Sequence, residues 1–366
     1  MNRNQTRKVT IGDVPLGGGH PIVVQSMANT DTSDANATLA QITGLAKIGC
    51  EVVRVAVPNQ ESANSLPQIV ENSPIPVVAD IHFDANLALA SIEAGVDKLR
   101  LNPGNISQEK KVRQVAQAAK ESDIPIRVGV NSGSLSQEIR AEFGDDIPNA
   151  MVESARRELE ILEEEKFEDI VVSLKSSNVA TTIAANRKFA TNYSYPLHLG
   201  ITEAGGGQLG LIKSALGIGS LLLEGIGDTI RVSLTGPPEN EVVAAYNILQ
   251  AAQVRQRGIE TISCPTCGRT EIEVQEIVKT INDRLKDFQQ PVKVAVMGCI
   301  VNGIGEARAT DFGLVGTPKG AVLYKAGKKE EVLVSKSTEQ LVERLEREIR
   351  RDLKPKPQKS ETKQEE

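Results

Sequence analysis

Eight short apolar runs recur along the first two thirds of the chain, at 21–27, 52–57, 76–81, 98–101, 125–130, 169–174, 197–201 and 229–234, each bounded by turn-forming residues. Most are nearly continuous Val, Ile and Leu, the pattern of parallel strands buried on both faces. Between them lie stretches of helical character rich in Ala, Leu, Glu and Lys, such as 108–122 and 149–166. Eight βα units in series predict an α/β protein whose N-terminal domain, residues 1–258, is a (β/α)8 TIM barrel. An open doubly wound sheet is the competing architecture, but no G-x-G-x-x-G follows the first run.

After Gly258 the pattern changes, and 259–353 reads as a second, small α/β domain. It opens on a cysteine loop at 263–269. A helix over 271–288 follows, capped by Thr270 with Glu273 three residues on. A strand is predicted over 292–298, three short strand-like runs over 312–315, 321–324 and 331–334, and a last helix over 337–351. The tail 354–366 carries no apolar residue and two prolines, so it reads as disordered.

Composition narrows the function classes. Apolar residues make up 40% of the chain but aromatic ones only 3%, with no Trp, so the core is aliphatic and base-stacking platforms are not expected. With 42 basic and 48 acidic residues the net charge is −6, which argues against a nucleic-acid partner and makes any basic site local. Four cysteines without a disulfide-rich spacing point to a reducing compartment. No apolar run is long enough to span a bilayer, and the N-terminus has no apolar signal core, so a cytoplasmic location without membrane contact is expected.

Active sites of (β/α)8 barrels lie at the C-terminal ends of the strands. Here those ends carry Arg54, Asp80 and His82, Arg100 and Asn102, Arg127 and Asn131, Lys175, Thr202 and Glu203, and Arg231 and Ser233. Five cations in or just after apolar runs are expensive to bury unless they converge on anions, and a small, highly charged ligand such as a diphosphate fits. The plainer reading pairs each with a helix carboxylate. Glycines 205–207, straight after Glu203, can offer backbone N–H groups to a phosphate. Asp80 and His82 share one face by the period of two, and Glu203 is the first candidate for acid/base work. His20 and His198 read as structural.

Cys264 and Cys267 form a C-x-x-C hairpin, Cys299 follows 32 residues later, and Glu306 closes CIVNGIGE, which reads as a glycine-rich loop. Spacing alone leaves three readings open: an iron-sulfur ligand set, a zinc site completed by a carboxylate or water, or a redox dithiol. Three thiolates with Glu306 as a weaker oxygen ligand would suit a catalytic [4Fe-4S] cluster. Cys50 reads as an ordinary buried thiol.

The segments VQSMANT, VRVAVP, ADIHF, LRLNPGN, IRVGVNSGSL, LHLGITEAG, TIRVSLTG, SCPTCGRT and VMGCIVNGIGEA, in this order, resemble the bacterial 4-hydroxy-3-methylbut-2-enyl diphosphate synthase family of the non-mevalonate isoprenoid pathway. The resemblance runs from about residue 7 to 351. It implies a TIM barrel followed by a domain similar to sulfite and nitrite reductases, with a [4Fe-4S] cluster held by Cys264, Cys267, Cys299 and Glu306. It further implies a substrate diphosphate bound by Arg54, Arg100, Arg127, Lys175 and Arg231 with Asn131 and Ser233, and Asp80, His82, Asn102 and Glu203 at the reacting end. The implied reaction is reductive ring opening of a cyclic diphosphate, 2-C-methyl-D-erythritol 2,4-cyclodiphosphate, with electrons from reduced flavodoxin or ferredoxin. A head-to-tail homodimer, in which one subunit's small domain covers its partner's barrel, is also implied.

Overall fold

In the computed structural model, which describes residues 3–81, 84–102, 109–286 and 288–352, the chain opens on an antiparallel hairpin that the periodicity did not announce. Its strands are β1 (Val9–Ile11) and β2 (Val14–Leu16). Three residues per strand are too few for an alternation to show.

Eight parallel strands follow: β3 (Val23–Met27), β4 (Val52–Ala56), β5 (Val77–Ile81), β6 (Lys98–Leu101), β7 (Ile126–Asn131), β8 (Ile170–Lys175), β9 (His198–Leu199) and β10 (Thr229–Ile230). They pair in the order β8-β7-β6-β5-β4-β3-β10-β9, and a bridge from Val172 to Leu197 joins the two ends into a ring. Following the partner registers once round from Gln25 returns to the first strand at position 17, the shear of eight that defines a (β/α)8 barrel. The last two strands are much shorter than the apolar runs that announced them. At Gly200 a side chain would sit 2.5 Å from the carbonyl of Arg231 and 2.8 Å from the Lys175 amine, so the chain there is shaped around the pocket rather than by a ladder.

The connecting helices are α1 (Ala35–Lys47), α2 (Gln60–Asn72), α3 (Ala85–Glu93), α4 (Glu109–Glu121), α5 (Gln137–Phe143), α6 (Ile147–Glu164), α7 (Val179–Asn192), α8 (Gly207–Leu223) and α9 (Pro238–Ala251). Asp34, Asn59, Asp84, Ser136, Asp146 and Asn178 cap six of them by accepting a backbone N–H of the first turn, which starts each helix shortly after its strand-end loop. Outward strand residues such as Val53, Val77, Leu99, Val128 and Val172 pack against Ile42, Leu66, Val115, Leu159 and Phe189 of the helices in one aliphatic layer. Inside the barrel floor, Val23, Val52, Val78 and Val171 meet Val9, Ile11 and Leu16 of the hairpin, which plugs the bottom.

Contacts divide the chain into Met1–Arg255 and Gln256–Glu366. The second unit comprises β11 (Ile259–Ser263), α10 (Val274–Arg284), β12 (Val292–Met297), α11 (Ile300–Arg308), β13 (Phe312–Thr317), β14 (Gly320–Lys325), β15 (Lys328–Leu333) and α12 (Thr338–Asp352). Its five strands lie in chain order; β11, β12 and β13 are parallel and the rest antiparallel. Ile277, Ile281, Leu341 and Leu345 of α10 and α12 cover the sheet through Val294, Leu314 and Leu323. Three local readings are corrected. The strand β11 precedes the cysteine loop, and CIVNGIGE forms the start of helix α11 despite its glycines. Thr270 does not cap α10: its hydroxyl accepts the N–H of Cys267 at 3.0 Å, and the helix starts four residues later behind Glu273. The tail 354–366 lies outside the described residues.

One barrel helix carries a mismatched group. Glu158 of α6 is buried, its Oε1 has no hydrogen-bond partner, and burial raises its carboxyl to about 7. A carboxyl whose folded-state value lies above its ordinary 4.5 binds its proton more tightly when folded, so stability is lost as pH rises from about 4.5 to about 7. Glu158→Gln is therefore expected to stabilise the protein little at pH 5 and by up to roughly 3 kcal/mol at pH 8. Urea unfolding at the two pH values measures this, and an equal effect at both would refute it.

Candidate active site

Stagger and the period of two sort the inward-facing side chains into layers of four from alternate strands. From the floor upward they are Val52, Lys98, Val171 and Thr229; then Gln25, Val78, Arg127 and His198; then Arg54, Arg100, Ser173 and Arg231; then Met27, Asp80, Gly129 and Gly200. Lys175 and Ser233 stand at the rim. The interior thus passes from the apolar hairpin floor to a layer rich in guanidiniums within the height of one short strand.

A cavity of about 90 Å³ opens above the third layer, lined by Arg54, Asp80, Arg100, Arg127, Asn131, Ser173, Lys175, Thr202, Arg231 and Ser233. All five strand-end cations anticipated from sequence meet there, with Asp80, Asn131, Thr202 and Ser233. Asp80 takes Arg100 Nη1 at 3.1 Å and Arg54 Nε at 3.5 Å. Arg231 is held from outside by Glu241 of α9 at 3.2 Å, and the same carboxylate accepts Ser26 Oγ and the N–H of Leu234. Arg54 also donates to the Met27 sulfur at 2.8 Å. Among the described residues, neither Arg127 nor Lys175 has a carboxylate within 4.0 Å, although they are 1% and 7% exposed.

The helix-carboxylate reading therefore holds for Arg231 alone, Asp80 being itself a strand residue. Burial, then the neighbouring guanidiniums of Arg54 and Arg100, lowers Arg127 well below the usual arginine range. Burial, followed by Arg127 and Arg54, does the same to Lys175. Arg54 is brought down to about 10, again chiefly by burial, with Asp80 opposing. The site is a concentrated positive field with few counter-charges, complementary to an anion.

Other candidates fall elsewhere. Asn102 is buried and donates to Ser134 Oγ at 3.2 Å, outside the cavity lining. Glu203 is exposed, on the loop after β9, with a left-handed φ of 52°; α8 begins on Gly207 with no side-chain cap. His82 lies outside the described residues. His198 is fully buried within the barrel, as its structural reading expects. Sequence reading missed Ser173, Glu241 and Met27. Ser173 was detectable, because it shares the inward face with Lys175 two residues on.

In the second unit the cysteines gather at the C-terminal ends of the parallel pair β11 and β12, whose register sets Ser263 beside Val296. Cys264 Sγ accepts the Gly298 N–H at 3.2 Å, and Glu271 N–H returns to the Gly298 carbonyl at 2.8 Å, so the C-x-x-C loop begins and ends on the residue before Cys299. All three thiols are free and at least partly exposed, whereas Cys50 is buried and pushed up to about 12 by burial. Glu306 stands seven residues after Cys299, two turns along the same face of α11, and helical side chains lean back toward the N-terminus. Among the described residues no three His, Cys, Asp or Glu are close enough to share one metal ion. A cluster that takes one ligand per metal atom needs donors set farther apart, and three soft sulfurs with one carboxylate suit such a group.

Residues 6–246 match the GcpE TIM-barrel domain and residues 260–351 the GcpE protein C-terminal domain. The chain belongs to the GcpE family. GcpE-type relatives include the 4-hydroxy-3-methylbut-2-en-1-yl diphosphate synthase (flavodoxin) of Maridesulfovibrio salexigens, 51% identical over 97% of this chain and 99% of the relative. The enzyme of that name from Caldanaerobacter subterraneus is 50% identical over 96% of this chain and 98% of its own length. Among solved structures, the dihydropteroate synthase of Yersinia pestis superposes with a TM-score of 0.50 at 11% identity, covering 67% of this chain and 98% of its own, a likeness of barrel fold alone.

The field depends on room for the guanidiniums. A Cβ at Gly129 would lie 2.7 Å from Arg100 Nε, and its three nearest atoms all belong to the flexible Arg100 side chain. Gly129→Ala is expected to keep the fold but displace Arg100 from Asp80, weakening inorganic pyrophosphate binding about tenfold, roughly the worth of one charged hydrogen bond. Calorimetric titration beside a thermal melt checks this; unchanged affinity would contradict it.

Proposed function

We propose that this GcpE-family chain is a flavodoxin-dependent 4-hydroxy-3-methylbut-2-en-1-yl diphosphate synthase. It opens 2-C-methyl-D-erythritol 2,4-cyclodiphosphate reductively to (E)-4-hydroxy-3-methylbut-2-enyl diphosphate, with two electrons and protons entering and one water leaving. The observation that carries this reading is the convergence of Arg54, Arg100, Arg127, Lys175 and Arg231 on one cavity with Arg127 and Lys175 lacking a carboxylate. It is supported by relatives of that name at about half identity over nearly the whole chain.

The cation ring binds both phosphates and stabilises the charge that builds on the diphosphate oxygen as the ring C–O bond breaks. Because the guanidiniums are packed before the ligand arrives, little reorganisation is needed at that moment. Asn131, Ser173, Thr202 and Ser233 orient the ligand by neutral hydrogen bonds. Asp80 holds Arg54 and Arg100 in place, and this reading assigns the reacting end to Asp80 and His82 together with Asn102 and Glu203, which stand outside the cavity lining. Glu203 is the proton donor to the hydroxyl that leaves as water. Cys264, Cys267, Cys299 and Glu306 would hold a [4Fe-4S] cluster, which when bound supplies electrons one at a time. Reduced flavodoxin is the donor, with ferredoxin the substitute.

The working unit in this reading is a head-to-tail homodimer in the cytoplasm. Supporting a second copy, Leu209, Ile212, Leu216 and Leu223 of α8 form an exposed apolar stripe. No helix among the described residues is long and apolar enough to cross a membrane.

Anaerobic purification with iron, sulfide and zinc analysis tests the cofactor: about four irons and four sulfides per chain are expected, and one zinc without sulfide would overturn it. Glu203→Gln is expected to lower kcat by about 100-fold or more with cluster content intact, and near-normal turnover would remove Glu203 from the proton role. Leu216→Glu should sediment as a monomer if α8 is the subunit face.

A further inference from the structure

Below the pocket, the barrel interior holds a sixth basic side chain that the proposed reaction does not use. Lys98 of β6 points inward in the lowest polar layer, beside Val52, Val171 and Thr229 and above Val9, Ile11 and Leu16 of the hairpin plug. It is fully buried, and among the described residues its Nζ has no hydrogen-bond partner. Among the described residues, the titratable groups that act on it from the packed strands are Arg127 of β7 and Arg54 of β4, with the imidazole of His198 on β9, which burial keeps neutral. Asp80, the nearest interior carboxylate in this stacking, stands three layers up and is engaged by Arg100 and Arg54. Asp97, next in sequence, faces the other side of the strand and accepts the N–H of Val77 at 2.7 Å.

An ammonium there would leave three N–H donors unmet beside two guanidiniums, with apolar side chains beneath. A neutral amine avoids both penalties. We propose that Lys98 is the barrel's proton acceptor for ligand binding: its amine is neutral in the free enzyme and takes one proton from bulk solvent when a diphosphate occupies the cation ring above it. The inference rests on the pocket being a diphosphate site. The only bond formed is N–H at Nζ, using its lone pair, and the proton comes from water or buffer.

The coupling is Coulombic. With the ring empty, Arg127 and Arg54 repel a sixth charge; a multiply charged anion bound above them offsets their field and makes the potential at Nζ less positive. Buried charges a few layers apart are screened much less by salt than exposed ones, so the effect reaches the floor of the barrel. The enzyme thereby gathers its full positive charge only when the ligand is present to balance it. By linkage, ligand binding through this group strengthens as pH falls.

The test titrates inorganic pyrophosphate into the purified full-length protein at pH 8, by calorimetry in two buffers of different ionisation enthalpy, for wild type, Lys98→Met and His198→Gln. The ligand's own protons are common to all three, so differences report the protein. Wild type and His198→Gln are expected to take up about one proton more than Lys98→Met, and the wild-type affinity relative to Lys98→Met should fall as pH is raised by up to about tenfold per unit. Methionine fills the space of the lysine stem, so Lys98→Met should melt no lower than wild type; Lys98→Gln gives a second variant with the same expected proton difference. Equal proton counts in wild type and both Lys98 variants would overturn the proposal, as would loss of the uptake in His198→Gln alone. Pyrophosphate that fails to bind wild type at all would overturn the diphosphate reading, and this inference with it.

Discussion

Burying positive charge inside a barrel is the constraint on which this structure turns. Four guanidiniums and two amines point inward, and the interior carboxylate that meets them is Asp80, with Glu241 reaching Arg231 from α9. Side chains of this kind leave water only when something compensates them. Part of the compensation is geometric: Gly129 and Gly200 vacate the places where a Cβ would strike Arg100 and Lys175, and the Met27 sulfur accepts from Arg54. The remainder is a ligand's to supply. A site so built suits a compact polyanion.

The scaffold can carry that load because the rest of it is conventional. An aliphatic layer between strands and helices, almost free of aromatic residues, supplies the hydrophobic burial, and a hairpin of Val9, Ile11 and Leu16 shuts the barrel floor to water. Keeping water out of the bottom matters as much as admitting the ligand at the top. Water reaching Lys98 and His198 from below would hydrate them and weaken their coupling to the ring.

The barrel was legible from eight aliphatic runs, and the pocket from cations that interrupt them at matching places. Both signals come from strands of ordinary length whose two faces differ in chemistry. What escaped was set by closure in three dimensions. Lys98 opens its run, where a lysine looks like a strand terminus until the register places it beneath Arg127. Glu241 lies on a helix whose first turn favours acids in any case, so its grip on Arg231 left no separate mark. The CIVNGIGE stretch looked like a loop because glycine disfavours helix, but Gly303 sits where a Cβ would lie 2.6 Å from Val315, and close packing of α11 on the sheet favours the helix despite its glycines.

Both units place their reactive groups at the C-terminal ends of parallel strands, and for the same reason. Strands running side by side end together, so the loops after them emerge at one edge and can bring distant parts of the sequence within a few ångströms. In the first unit eight such ends bring together charges that no single segment could hold. In the second, two ends suffice: Cys264 and Cys299 are 35 positions apart in sequence, yet the parallel register of β11 and β12 makes them neighbours, and the Gly298 N–H fixes the direction of the Cys264 sulfur. The difference lies in the donors. Hard, fixed cations suit an anion that arrives and leaves, whereas thiols, one of them oriented by the backbone, would suit a soft metal group that stays. Reductive removal of oxygen from a polyanion needs both properties, and one geometric rule supplies them twice in this chain.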